Sequence, residues 1–169
     1  MTTTVTKRKP VASSRTRTAG AATGTVVADE IPTKRYIESS ALVAALLEGD
    51  PKAKVSIRAH GDRVTSALTV AETSRAVLCA RISGRITVQQ ERAAIFTLKQ
   101  FTRRCHIVAV TEAILAHAGR PFPIEPIRTL DAIHLATAQA LGDPPALVAI
   151  VTRDVRVREN AEALGHPLE

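Results

Sequence analysis

Leu147-Val148-Ala149-Ile150-Val151-Thr152 is the stretch whose reading decides the fold. It is apolar on both faces over the length of a strand, the pattern of a strand buried inside a parallel sheet. Pro144-Pro145 precedes it, and Asp154 behind it is a good helix N-cap. Upstream, Thr129 is expected to cap a helix running to position 141, which Gly142-Asp143 breaks. A second apolar run, Ile107-Val108-Ala109-Val110, has strand length and is followed by helical residues 111–118. Pro121, Pro123 and Pro126 then enforce a loop.

Nearer the N-terminus, residues 35–37 and 63–65 read as short strands. Ser39-Ser40 is expected to cap a helix over residues 41–47, and Pro51 stands at the first position of the next. A longer helix ends at position 82, starting from Ser66 or Thr69, and Thr87 caps another reaching about position 103. Strands alternating with helices predict an α/β, three-layer domain, a short central parallel sheet flanked by helices.

The chain of 169 residues has length enough for one domain with a real core. Residues 34–169 are expected to form it. Residues 1–33 are rich in Thr, Ala, Ser, Lys and Arg without helical or strand period, and are expected to be a disordered basic arm. Residues 1–35 carry seven Lys/Arg against Asp29 and Glu30, while residues 36–169 carry sixteen against fourteen acids. The high pI therefore belongs mostly to the arm. No apolar run spans a membrane and no secretory signal is evident. Cys79 and Cys105 show no CxxC spacing, so a reducing, cytoplasmic setting is expected. There is no P-loop and no GxGxxG turn.

Of four candidate acids, three follow strand ends, on the edge where open α/β sheets bind ligands. Glu38 directly follows the first strand, and Glu72 lies in the helix after the second. Asp154 follows the last strand, and Asp131 opens the helix before it. Each also has an ordinary reading. Thr69-Val70-Ala71-Glu72 fits a capping box, Asp131 suits a helix dipole, Asp154 caps, and Glu38 could be solvated. Yet independent caps have no reason to gather on one edge of a sheet. Clustered carboxylates raise one another's pKa, and a divalent cation reverses that penalty. All-oxygen ligation selects hard ions, Mg²⁺ or Mn²⁺. His134, three residues after Asp131 on the same helical face, is open to a metal role, with a histidine held by a local hydrogen bond as the favoured reading.

At this point the residues resemble a family, the PIN-domain nucleases, and especially the VapC-type ribonuclease toxins of toxin–antitoxin pairs. The segments that carry the likeness are Tyr36-Ile37-Glu38-Ser39-Ser40, Thr65 to Glu72, Arg128-Thr129-Leu130-Asp131-Ala132-Ile133-His134, and Val151-Thr152-Arg153-Asp154. The resemblance implies a metal-dependent endoribonuclease cutting single-stranded or looped RNA. It implies that Glu38, Glu72, Asp131 and Asp154 hold one or two Mg²⁺ or Mn²⁺ ions, with hydroxyls of Ser40 and Thr152 in support. It further implies a small antitoxin partner and a homodimer. The family usually has Asp where this chain has Glu38. The alternative is therefore a non-catalytic PIN-like module binding RNA or protein, its metal site weakened by Glu38. With four aromatics, RNA binding would run through phosphates, and Arg75, Arg81, Arg85, Arg103, Arg104, Arg153 and Arg156 are candidates.

Overall fold

The structure is a computed structural model that describes residues 31–59 and 61–169. The expected arm lies outside the described residues apart from its last three. Four strands form one parallel sheet: β1 (Lys34–Ile37), β2 (Asp62–Ser66), β3 (His106–Val108) and β4 (Val148–Val151), in the order β3-β2-β1-β4. Between β1 and β2 lie α1 (Ser39–Val43), a π-helical turn (Ala44–Glu48) and α2 (Pro51–Ser56). Between β2 and β3 lie α3 (Ala67–Ile82) and α4 (Val88–Thr102). Helices α5 (Glu112–Ala118) and α6 (Thr129–Gln139) lead back to β4, and α7 (Val155–Ala163) follows it.

The three layers follow from strand alternation. Tyr36, Val148 and Ile150 point into a core with α5, α6 and α7, through Ile114, Leu135, Ala136 and Val157. Ile37 and Val151, one position on, point into a second core with Leu42, Ala45, Ala53 and Leu98. β4 is buried at all four positions, as a strand covered on both faces must be. The chain enters β2 and β3 on one side of β1 and returns to β4 on the other. A crevice therefore opens between the carboxyl ends of β1 and β4, where the strand order reverses.

Local chemistry sets most boundaries, sometimes from a neighbouring residue. Glu38, not Ser39-Ser40, caps α1: its carboxylate accepts from the Ser40 N–H. Gly49 ends the π-helical turn at φ 74°, a left-handed position that suits glycine. Thr69 does not form a capping box with Glu72. Ser66 is the last extended residue and takes the Thr69 N–H at 3.1 Å, so Thr69 lies inside α3. Thr129 is likewise the first residue of α6, whose N-cap Arg128 makes no side-chain capping bond. The third strand sits at 106–108 rather than 107–110, because Thr111 caps α5 and the chain leaves the sheet early. Thr87 and Asp154 cap as expected.

The proline loop is anchored by Asn160 of α7. Its side chain, almost fully buried, accepts from the Ile124 N–H and donates to the Ile124 carbonyl, both at 2.9 Å. Asn160→Ala strips both backbone groups of their partner, and should lower stability by roughly 1–3 kcal/mol in a urea melt. No helix among the described residues is long and apolar enough to cross a membrane.

Candidate active site

The carboxyl end of β1 delivers Glu38, which is only 4% exposed. Its Oε2 accepts from the Ser40 N–H at 2.9 Å, from the Ser40 hydroxyl, and from the Thr152 hydroxyl at 2.8 Å. Its Oε1 accepts from the Ser39 hydroxyl at 2.6 Å. Ser40 and Thr152 also hold the turn after β4. The Arg153 N–H donates to Ser40 Oγ at 2.7 Å, and the Asp154 N–H reaches Ser40 Oγ at 3.2 Å and Thr152 Oγ1 at 3.1 Å. The two strands that flank the crevice are thus tied together by the hydroxyls the sequence singled out, with Glu38 at the knot.

Asp154 spends Oδ1 on its own helix, accepting from Arg156 N at 2.8 Å and Val157 N at 3.4 Å. Asp131, in the first turn of α6, is half-buried, and its Oδ2 is buried without a hydrogen-bond partner. Burial raises its pKa; the charges of Asp154 and Glu38 raise it further, against Arg128 and His134. The helix dipole at α6 favours the ionised form. The net shift is nevertheless upward, so desolvation and carboxylate crowding win.

Glu72 projects from α3, whose start is fixed by Thr65 and Thr69: both hydroxyls donate to the Ile37 carbonyl, at 2.7 and 3.5 Å. Burial pushes the Glu72 pKa up, but the hydrogen bond and charge of His134, with the Ser39 hydroxyl, outweigh it and hold the carboxyl below its ordinary value.

His134 is the residue the sequence reading undervalued. Its partners are not local. Nε2 lies 2.7 Å from Glu72 Oε2 and 3.6 Å from Glu38 Oε1, while Nδ1 lies 3.0 Å from the Tyr36 hydroxyl. Glu38, Glu72 and His134 bring one donor atom each within 4.8 Å of one another. Two signals were legible: Tyr36 and Glu38 alternate onto one face of β1, and Asp131 and His134 share one face of α6. Among the arginine candidates, Arg153 is engaged with Asp50 at 2.9 Å and Arg81 with Glu91 at 3.1 Å.

Like charges crowded at a crevice, one with an orphaned buried oxygen, suit a divalent cation. A PIN-domain family profile matches residues 35–163, and the chain belongs to that family. It is 36% identical over 134 residues to "Ribonuclease VapC35" of Mycobacterium tuberculosis (strain ATCC 25618 / H37Rv), covering 77% of this chain and 91% of that one. It is 39% identical over 132 residues to "Ribonuclease VapC46" of the same strain, covering 77% and 92%. Among solved structures, the Mycobacterium tuberculosis toxin VapC20, described as cleaving the sarcin–ricin loop, aligns with a TM-score of 0.55 at 17% identity over 78% of this chain and 95% of its own. VapBC2 from Rickettsia felis aligns with a TM-score of 0.55 at 14% identity over 80% and 97%. These two likenesses establish the fold.

Proposed function

We propose that this protein is a metal-dependent endoribonuclease, the toxin of a type II toxin–antitoxin pair, acting on single-stranded or looped RNA in the cytoplasm. One observation carries the reading. At the β1–β4 crevice the charges of Asp154 and Glu38 both bear on Asp131, and Asp131 keeps a buried oxygen that nothing satisfies. Relatives named as VapC ribonucleases at 36–39% identity support RNA as the substrate. The antitoxin partner and a homodimer belong to the same reading. Phe96, 64% exposed on α4, is an apolar residue such a contact could cover.

Glu38 Oε1, Asp131, Asp154 Oδ2 and Glu72 would hold Mg²⁺ or Mn²⁺. The ion supplies polarisation of water and stabilisation of charge on the phosphodiester under attack. The chain's own groups do the rest. Ser40 and Thr152 occupy Glu38 Oε2 with three donors, which leaves Oε1, with its single donor Ser39 at 2.6 Å, as the oxygen with room for a cation. The Asp154 N–H, shared between Ser40 Oγ and Thr152 Oγ1, fixes the turn that carries the fourth acid. Glutamate in place of the usual aspartate therefore leaves one oxygen aimed at the cluster, which favours a working site over a disabled module.

Cleavage of a mixed single-stranded RNA pool in Mn²⁺, Mg²⁺ or EDTA is the test. Cutting in either ion that EDTA stops is expected. A native chain that binds RNA without cutting it in any ion would overturn the enzyme reading and leave the binding module.

A further inference from the structure

We infer that His134 is a positioning residue that holds Glu72 in place for the cation and is itself anchored by Tyr36. The inference rests on the metal-site reading above.

The ring cannot wander. His134 is 2% exposed on α6, whose residues from Ala132 to Ala138 are all buried. Both ring nitrogens are engaged, Nδ1 with Tyr36 and Nε2 with Glu72. Tyr36 is 1% exposed and stands two residues before Glu38 on β1. The strand that delivers Glu38 therefore also fixes the ring that meets Glu72.

The proton can be placed. An ionised carboxylate only accepts, so at 2.7 Å from Glu72 Oε2 the Nε2 atom is the donor. A nitrogen that keeps its proton has no lone pair for a metal. His134 is accordingly excluded as a ligand while this bond stands, although its position beside Glu38 and Glu72 would otherwise suit one. Its distance of 3.6 Å to Glu38 Oε1 is too long for a hydrogen bond, so that oxygen carries the Ser39 hydroxyl but not His134.

Glu72 is the acid that needs this help. Glu38 is fixed by Ser40 and Thr152, Asp154 by its own helix, and Asp131 has the shortest reach of an acid, from the first turn of α6. Glu72 has a long side chain with 25% exposure and no backbone donor. Its other polar partner, the Ser39 hydroxyl, is shared with Glu38 Oε1 at 2.6 Å. Without His134 the carboxylate would keep only that shared hydroxyl, and the cation would have to order it further on binding.

Mn²⁺ binding read by electron paramagnetic resonance tests the inference without any turnover. The native chain, His134→Ala, His134→Gln, Tyr36→Phe, Glu72→Ala and the His134→Ala/Glu72→Ala double variant are titrated side by side. His134→Ala is expected to weaken Mn²⁺ binding about ten- to hundredfold, the range for supporting residues of metal sites. His134→Gln, whose terminal amide can donate from the Nε2 position, should recover part of that loss, and Tyr36→Phe should lose less than Ala. On the Glu72→Ala background, His134→Ala should cost nothing further, because its action passes through Glu72.

If His134→Ala does not fold by circular dichroism, the Gln and Phe variants decide between the same outcomes. Unchanged Mn²⁺ affinity in the His134 and Tyr36 variants would overturn the inference while the metal site stands. A full additive loss on the Glu72→Ala background would overturn it too, in favour of a purely structural histidine. Nitrogen coupling to bound Mn²⁺ in the pulsed spectrum would make His134 a ligand and equally overturn it. A native chain that binds no Mn²⁺ would overturn the metal-site reading and the inference with it.

Discussion

Metal-free Asp131→Asn will melt above the native chain at neutral pH, and it will not cut RNA in any divalent ion. Both results have one cause. Asp131 Oδ2 is buried with no partner, and burial, Asp154 and Glu38 all push its pKa up. For a carboxyl whose folded pKa lies above its unfolded one, the folded state binds more protons in the window between them. Stability from this group is then fully present below the unfolded pKa and is lost as pH rises through the folded one. At neutral pH the native chain has lost it, and asparagine, which never ionises, restores it. Glu72 runs the other way: its lowered pKa gives stability that is present at neutral pH and fades as pH falls through its folded value. A cation reverses the order of melting. A ligand at a hundred times its Kd adds about 2.7 kcal/mol to a site that binds it, and the Asn variant has given up a ligand. Melting curves of both proteins in EDTA and in Mn²⁺ should therefore cross. A lower melting temperature for Asp131→Asn in EDTA would mean that the carboxylate is satisfied inside the fold, and would remove the main support for a cation at this place.

The same residue shows how far the sequence carries the argument. The apolar run at residues 147–152 was legible as a buried parallel strand because burial on both faces leaves only one kind of pattern. Placing the acids at strand ends was legible too, since strand polarity in a parallel sheet follows from the alternation of strands and helices. Boundaries that depend on the exact last extended residue were not. Thr129 looks like a cap, but Arg128 is the residue that stays extended, and of the two starts the sequence offers for α3, Ser66 and Thr69, the fold takes Ser66. The turn at Ala44–Glu48 widens to a π form that no local signal marks. The His134 network was only half legible. Shared faces of β1 and α6 can be read from periodicity, but contacts spanning 98 and 62 residues depend on how those elements dock.

Glu38→Ala should give the opposite stability result from Asp131→Asn, with the same loss of cleavage. Glu38 is built into the fold: its Oε2 caps α1 and receives the Ser40 N–H, the Ser40 hydroxyl and the Thr152 hydroxyl in a nearly dry pocket. Removing it abolishes the cap, typically about 1 kcal/mol. It also leaves buried donors without an acceptor, at roughly 1–3 kcal/mol. Relief of repulsion against Asp131 offsets part of this, and a net loss of about 2 kcal/mol is expected from urea melts in EDTA. Two acids of one site thus carry opposite signs: one holds the crevice together, and the other is held there against its own electrostatics. Glu38→Asp separates the two duties of this residue. Aspartate can still cap α1, but it is shorter by one methylene, roughly 1.5 Å. It cannot keep Thr152 on one oxygen and present the other to the cluster. Stability should fall by less than in Glu38→Ala, while Mg²⁺, which demands near-ideal octahedral geometry, should bind more weakly and support slower cleavage. Mn²⁺ should restore more of the rate than Mg²⁺ does. Faster cleavage by Glu38→Asp in Mg²⁺ would show instead that the hydroxyl cradle follows the acid, and that the longer side chain in this protein is a handicap to the site it serves.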